Sequence, residues 1–102
     1  MKSFRNLYEI LIPVASSNGV KIPIARHQKW DEWIVQRCGG LTLFSTYTGK
    51  WVNQKEEMIA VRVACCLNQI DEILDFTAIF YGQKEVMMYR ISSDVIIYQK
   101  IS

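Results

Sequence analysis

Six segments in the order strand, helix, strand, strand, helix, strand predict an α+β fold for this chain. Three observations carry that prediction. Two segments repeat apolar residues with a helical period, and each closes on glycine, at Gly39-Gly40 and at Gly82. Four others alternate, or run continuously apolar, over strand lengths. The order interleaves two β-α-β crossovers, which is the split βαβ of the ferredoxin-like arrangement. Right-handed crossovers then put both helices on one face of an antiparallel sheet with strand order 4-1-3-2.

The first strand runs from Phe4 to Pro13, where Tyr8, Ile10 and Ile12 alternate with Leu7, Glu9 and Leu11. Both of its sides are largely apolar, as in an interior strand. Ser16-Ser17-Asn18-Gly19 is a turn cluster, and Pro23 opens a helix that runs to about Cys38. Leu41–Tyr47 reads as the second strand, Thr48-Gly49-Lys50 as a turn, and residues 53–57 as a polar loop. Met58–Cys66 is broken only by Arg62, which makes it a central strand. Asn68 is the predicted N-cap of the second helix, with Asp71 three positions on. That helix aligns Ile70, Ile73, Leu74, Thr77 and Tyr81 on one side. Glu85–Ser92 is the fourth strand, Ser93-Asp94 a bend, and Val95–Ile101 an extension of that strand or a fifth, edge strand.

Length and composition set the outer limits. The 102 residues make one domain with a modest core, and 50% hydrophobic with 22% charged residues is globular rather than disordered. The net charge of +2 is divided unevenly, with seven Lys/Arg against three Asp/Glu in residues 1–51 and five against seven in residues 52–102. That asymmetry falls short of a basic nucleic-acid face. The predicted central strands also lack the stacking rings that RNA-binding modules of this topology display. No apolar run reaches the roughly 18–20 residues that span a bilayer. Glu9 interrupts the N-terminal apolar stretch too early for a secretory leader. Three cysteines are an odd number without framework spacing, which predicts buried free thiols and a cytoplasmic compartment. The single histidine and the cysteine spacing predict no metal site, and no phosphate-cradling motif or serine elbow points to a cofactor or a hydrolase. Asp31-Glu32 and Glu56-Glu57 are adjacent pairs, read as solvated charge rather than acid–base dyads.

Four short motifs recur in order: Gly39-Gly40-Leu41-Thr42, Gly49-Lys50-Trp51, Glu57 before an apolar strand, and Tyr81-Gly82-Gln83-Lys84-Glu85-Val86. Together, over roughly residues 28–90, they resemble a family of small uncharacterised bacterial proteins with the pattern G-L-T, G-x-W, an acidic residue, and Y-x-Q-x-x-V. The resemblance implies the same fold and transfers no active site.

Two constellations stand out. If the helices cover Tyr8, Ile10 and Ile12, the open face carries Leu7, Glu9 and Leu11, joined by Met58, Ala60, Arg62 and Ala64, and by Val86, Met88 and Arg90. The parity follows from the charges, because an arginine buried beneath helices would be costly. Glu9 would then stand between Arg62 and Arg90 on an apolar surface. On the first helix Arg26, Trp30, Trp33 and Arg37 share a stripe, with His27 on the same broad side. Such a ladder can stack cations on rings, or the tryptophans can pack into the core with the arginine stems as cover. Phe76, Ile79 and Phe80 widen the apolar side of the second helix, and Tyr47 and Trp51 flank the predicted Thr48-Gly49 turn.

The leading expectation is a non-enzymatic interaction or ligand-binding module. It forms a homodimer or higher homo-oligomer through the open sheet face, with a small molecule or protein as further partner. The alternative is a small enzyme of the dimeric α/β-barrel kind, with a pocket over Glu9, Arg62 and Arg90.

Overall fold

The computed structural model describes residues 1–38, 42–51, 54–98 and 100, and side chains for residues 1–38, 57–98 and 100. The elements are β1 (Lys2–Pro13), α1 (Ile24–Cys38), β2 (Thr42–Trp51), β3 (Gln54–Cys65), a 3-10 turn (Leu67–Gln69), α2 (Ile70–Tyr81) and β4 (Met88–Tyr98). The strands form an antiparallel sheet in the order β2-β3-β1-β4, so β1 and β3 are central.

The core lies between the sheet and the two helices. Tyr8, Ile10 and Ile12 from β1 join Val61, Val63 and Cys65 from β3. Trp30, Ile34 and Cys38 meet them from α1, at the four-residue spacing that stacks side chains along one helix face. Ile73 closes the layer from α2. Trp30 is fully buried, and its indole Nε1 donates to Thr77 Oγ1 at 3.0 Å, while Thr77 Oγ1 donates to the Ile73 carbonyl at 2.6 Å. This polar chain under the helices is therefore satisfied internally, which is what makes burying an indole N–H and a hydroxyl tolerable.

Local chemistry sets several boundaries. Ser16 N donates to the Val20 carbonyl at 2.8 Å, and Gly19 turns the chain at φ 84°. Gly82 ends α2 at φ 63°, with its N–H facing the Ala78 and Ile79 carbonyls. Asn68 does not cap α2, because the 3-10 turn precedes the helix and Gln69 occupies the cap position. Gln69 accepts from the Cys66 N–H at 2.9 Å and donates to the Arg37 carbonyl, which ties the α2 entrance to the end of α1.

Two strand predictions need correction. Thr48-Gly49-Lys50 is not a turn: Thr48, Gly49 and Lys50 pair with Glu57, Glu56 and Lys55, so β2 runs on to Trp51 and residues 54–57 are strand. Glycine is tolerated in this position because β2 lies at the sheet edge. The fourth strand begins at Met88, three residues later than expected, and continues through Ser93 and Asp94 to Tyr98. Its register with β1 shifts between Arg5 and Leu7 and again between Leu7 and Tyr8. These irregularities absorb the predicted bend, and residues 93–98 belong to the same strand. The predicted Gly39-Gly40 stop falls outside the described residues.

Candidate functional site

The face of the sheet away from the helices holds a charged pair in apolar surroundings. Glu9 on β1 stands opposite Arg62 on β3, between the pairs Leu7–Ala64 and Leu11–Ala60, with Met58 opposite Pro13 beyond. Glu9 is only 7% exposed, and Arg62 Nε reaches its Oε1 at 3.4 Å while about half of the Arg62 side chain stays in solvent. This is a long, charge-assisted contact in which one partner is desolvated and the other is wet.

The third member of the expected row is elsewhere. Arg90 stands opposite Tyr8 and Met88 opposite Ile10, so both have helix-side parity. Val86 and Met88 pack against the helix-side core, whereas Arg90 is exposed. The inference that arginine avoids the helix side fails at this point because the helices do not cover that part of β4, and no desolvation cost applies. Tyr89 takes the place opposite Glu9, with its ring half-exposed. Met87 lies beside it, its carbonyl accepting from Leu11 N at 3.0 Å. The open face thus presents a carboxylate between a guanidinium and a phenol, over a floor of alanines and leucines.

The helix-side residues form a different surface. The stripe of Arg26, Trp30, Trp33 and Arg37 divides, because Trp30 turns into the core and Trp33 into the seam between α1 and α2. Trp33 stacks on Phe76 at 3.9 Å between centroids with planes 4° apart, and Phe76 continues to Phe80 at 5.4 Å. Arg37 lies over the Trp33 ring at 5.1 Å and Arg26 over Phe80 at 4.4 Å, so the cations cap the ends of a three-ring stack. Arg37 also pairs with Glu72 at 3.3 Å, and Arg26 donates to the Phe80 carbonyl. Trp33, Glu72, Asp75, Phe76, Ile79 and Phe80 line a shallow cleft of about 370 Å³. The rings are already mutually stacked and the arginines engaged, which makes this a cross-brace between helices more than a vacant ligand platform.

His27 sits at the upper end of that seam. Its Nδ1 shares a hydrogen bond with the Tyr81 hydroxyl at 2.7 Å. Burial, and then the adjacent Arg26 charge, hold its pKa below the ordinary histidine range. Burial likewise pushes Tyr81 well above the usual phenol range. Asp31 is raised by burial and by Glu32, and its Oδ1 is enclosed without a hydrogen-bond partner among the described residues. A neutral imidazole hydrogen-bonded to an un-ionised phenol is a structural contact; it activates neither group. Tyr47 and Trp51 pair through their backbones with Met58 and Gln54, and their side chains lie outside the described residues.

Among the described residues no group of three His, Cys, Asp or Glu side chains is placed to hold a metal ion, and no helix is long and apolar enough to cross a membrane. No family model matches the chain, and comparison with curated proteins finds no match. Among solved structures, a phage SAM lyase in complex with S-methyl-5'-thioadenosine is similar at a TM-score of 0.58 and 12% sequence identity. The alignment covers 92% of this chain and 85% of that one. At that identity the likeness speaks for a shared fold and for nothing finer.

Proposed function

We propose that this chain is a ferredoxin-like module that assembles with copies of itself through the open face of its sheet. The observation that carries the reading is Glu9: a nearly buried carboxylate, half-paired at 3.4 Å with an arginine, amid exposed Met87 and Tyr89. Four strands about 4.8 Å apart, over eight residues rising about 3.3 Å each, present a face roughly 19 by 26 Å. That is about 500 Å², a small interface beside the ~800 Å² per partner of a standard one. The face is also self-complementary. In a two-fold pair, the Arg62 guanidinium of each copy can complete the coordination of the facing Glu9 while the exposed Met87 and Tyr89 pack around them.

Light scattering at micromolar concentration tests the reading. A dimer or larger oligomer that Tyr89→Glu reduces to monomer is the expected result. A wild-type protein that is strictly monomeric across that range refutes it.

A second reading retains the ligand pocket, now over Glu9, Arg62 and Tyr89. The half-exposed ring opposite a buried carboxylate favours it, because ring and carboxylate together suit a nucleoside, by stacking and by accepting from ribose hydroxyls. S-methyl-5'-thioadenosine, the ligand of the structural neighbour's complex, is the natural probe. Calorimetric titration should give saturable heat that Glu9→Gln abolishes; absence of heat at millimolar ligand removes this reading and leaves the first untouched.

A further inference from the structure

β4 is an edge strand, paired with β1 on one side and with no strand on the other among the described residues. Which of its backbone groups face outward follows from the ladder. Leu11 N–H donates to the Met87 carbonyl, so the odd residues of β1 turn their N–H and C=O groups toward β4 and the even ones turn away. Val95 and Ile97 stand opposite Arg5 and Ser3 and turn inward to them. Ile96 and Tyr98 stand opposite Phe4 and Lys2, so their backbone groups point outward. The edge is guarded unevenly. Two register shifts disturb it between Arg90 and Val95, and the Asp94 N–H donates to Ser92 Oγ at 3.1 Å. Residues 95–98, Val-Ile-Ile-Tyr, hold no charge, proline or bulge of the kind that keeps an edge from pairing. The helices leave this end bare: Phe4 is 73% exposed, Tyr98 65% and Ile96 56%.

We propose that this end of β4 pairs with the same segment of a second copy, antiparallel, about a two-fold axis at Ile96. The free groups set the register. The two Ile96 residues exchange N–H···O=C bonds, and each Tyr98 N–H donates to the Asp94 carbonyl of the other copy. The Asp94 N–H, which would continue the ladder, is already bonded to Ser92, so pairing ends there. The side chains agree with that register. On the helix side one row reads Phe4, Ile96, then Ile96 and Phe4 of the other copy, and the next reads Lys2, Tyr98, then Asp94 of the other copy. Among the described residues neither Lys2 nor Asp94 has an ion-pair partner within the chain. Across the junction they stand two strand spacings, about 10 Å, apart, a gap that the two side chains span. Val95 meets Ile97 on the other side of the sheet. This matching of free backbone groups, apolar row and opposite charges to themselves selects a second copy as the occupant. The junction uses none of Glu9, Arg62 and Tyr89, so it is separate from the open-face assembly. Being short, it is weak, and it fills at submillimolar rather than micromolar protein.

Amide exchange in the unaltered protein, read residue by residue by NMR, tests the pairing. Between dilute and submillimolar protein, exchange at Ile96 and Tyr98 should slow several-fold, while Val95 and Ile97, turned toward β1 at any concentration, hold steady. Tyr89→Glu, which breaks the open-face assembly, should leave that slowing in place, so the two interfaces fail separately. Disulfide trapping fixes the register. In a Cys66→Ser background, oxidation of Ile96→Cys should link two copies through that position, because facing residues of a bonded antiparallel pair lie about 5.5 Å apart at Cα. Arg90→Cys, also exposed but far from the axis, should link no faster than random collision allows. Lys2→Glu should slow the Ile96→Cys link several-fold, and adding Asp94→Lys should restore it. Equal linkage at both positions, exchange at Ile96 and Tyr98 that ignores concentration, or a link indifferent to Lys2→Glu would each overturn the proposal.

Discussion

The two faces of this sheet draw on neighbouring positions of the same strands, yet they handle polar groups differently. Under the helices, Trp30 Nε1, the Thr77 hydroxyl and the Ile73 carbonyl form a closed relay in which the donors are matched within the chain. On the open face, Glu9 is nearly as deeply buried but has, among the described residues, one long contact to a guanidinium that remains half in water. A closed relay needs no second molecule. A half-satisfied carboxylate on an apolar surface is the kind of group that association or ligand binding would complete. Burial alone therefore does not separate core from site; the state of the hydrogen bonds does.

The largest expected effect contrasts one aromatic residue from each face. Trp30→Ala removes a fully buried indole and leaves Thr77 without its donor, so it should cost about 3–5 kcal/mol of stability. Tyr89→Ala removes a half-exposed ring, and in dilute protein it should cost less than ~1 kcal/mol. Urea unfolding of both variants measures the gap. Near-equal losses would mean that the open face is a second core and would dissolve the contrast.

A smaller effect separates the charged pair from the apolar face that carries it. Arg62→Ala strips Glu9 of its partner, and because Arg62 is half in solvent the loss in the single chain should stay within about 0–1 kcal/mol. Adding Glu9→Gln should recover part of that loss, since a neutral amide is less penalised at a buried position than an unpaired carboxylate. The double-mutant cycle by urea unfolding reads the coupling directly. A double variant less stable than Arg62→Ala alone would show that Glu9 is held by something other than Arg62.

How much of this was legible beforehand depends on where the strand period is intact. The Glu9–Arg62 pairing could be read from sequence because each is the one charge in an otherwise apolar run, and that run aligns on only one parity. The α+β class and the Gly82 stop followed from helical period and a left-handed residue. Arg90 was misplaced because its parity was argued from burial, and at its position on β4 nothing buries it. Tyr89 was missed for the same reason; the signal was present, since the correct parity of Met88 brings Met87 and Tyr89 to the open face. Gly49 suggested a turn that an edge strand accommodates without one. The Trp33–Phe76–Phe80 stack exists only once α1 and α2 are docked.

The smallest expected effect is a pH dependence of the helix side. Arg26 precedes His27, the Tyr81 hydroxyl is hydrogen-bonded to its Nδ1, and Asp31 lies one turn on. Burial and Arg26 lower the folded-state pKa of His27, so between that value and the unfolded value of about 6.5 the unfolded chain carries more protons. Stability therefore falls as pH drops through that window, and this contribution is flat below it. Asp31 works with the opposite sign lower down: its raised pKa makes the folded chain the stronger proton binder above about 3.9, so stability falls there as pH rises. Acidification from about pH 7.5 to about 5.5 should lower the melting temperature by a modest amount, centred on the histidine range. His27→Gln should flatten that slope while leaving the lower, Asp31-dependent part in place. If the slope near neutrality survives the substitution unchanged, the titrating group lies elsewhere, and the helix side is not the pH-sensitive half of the molecule.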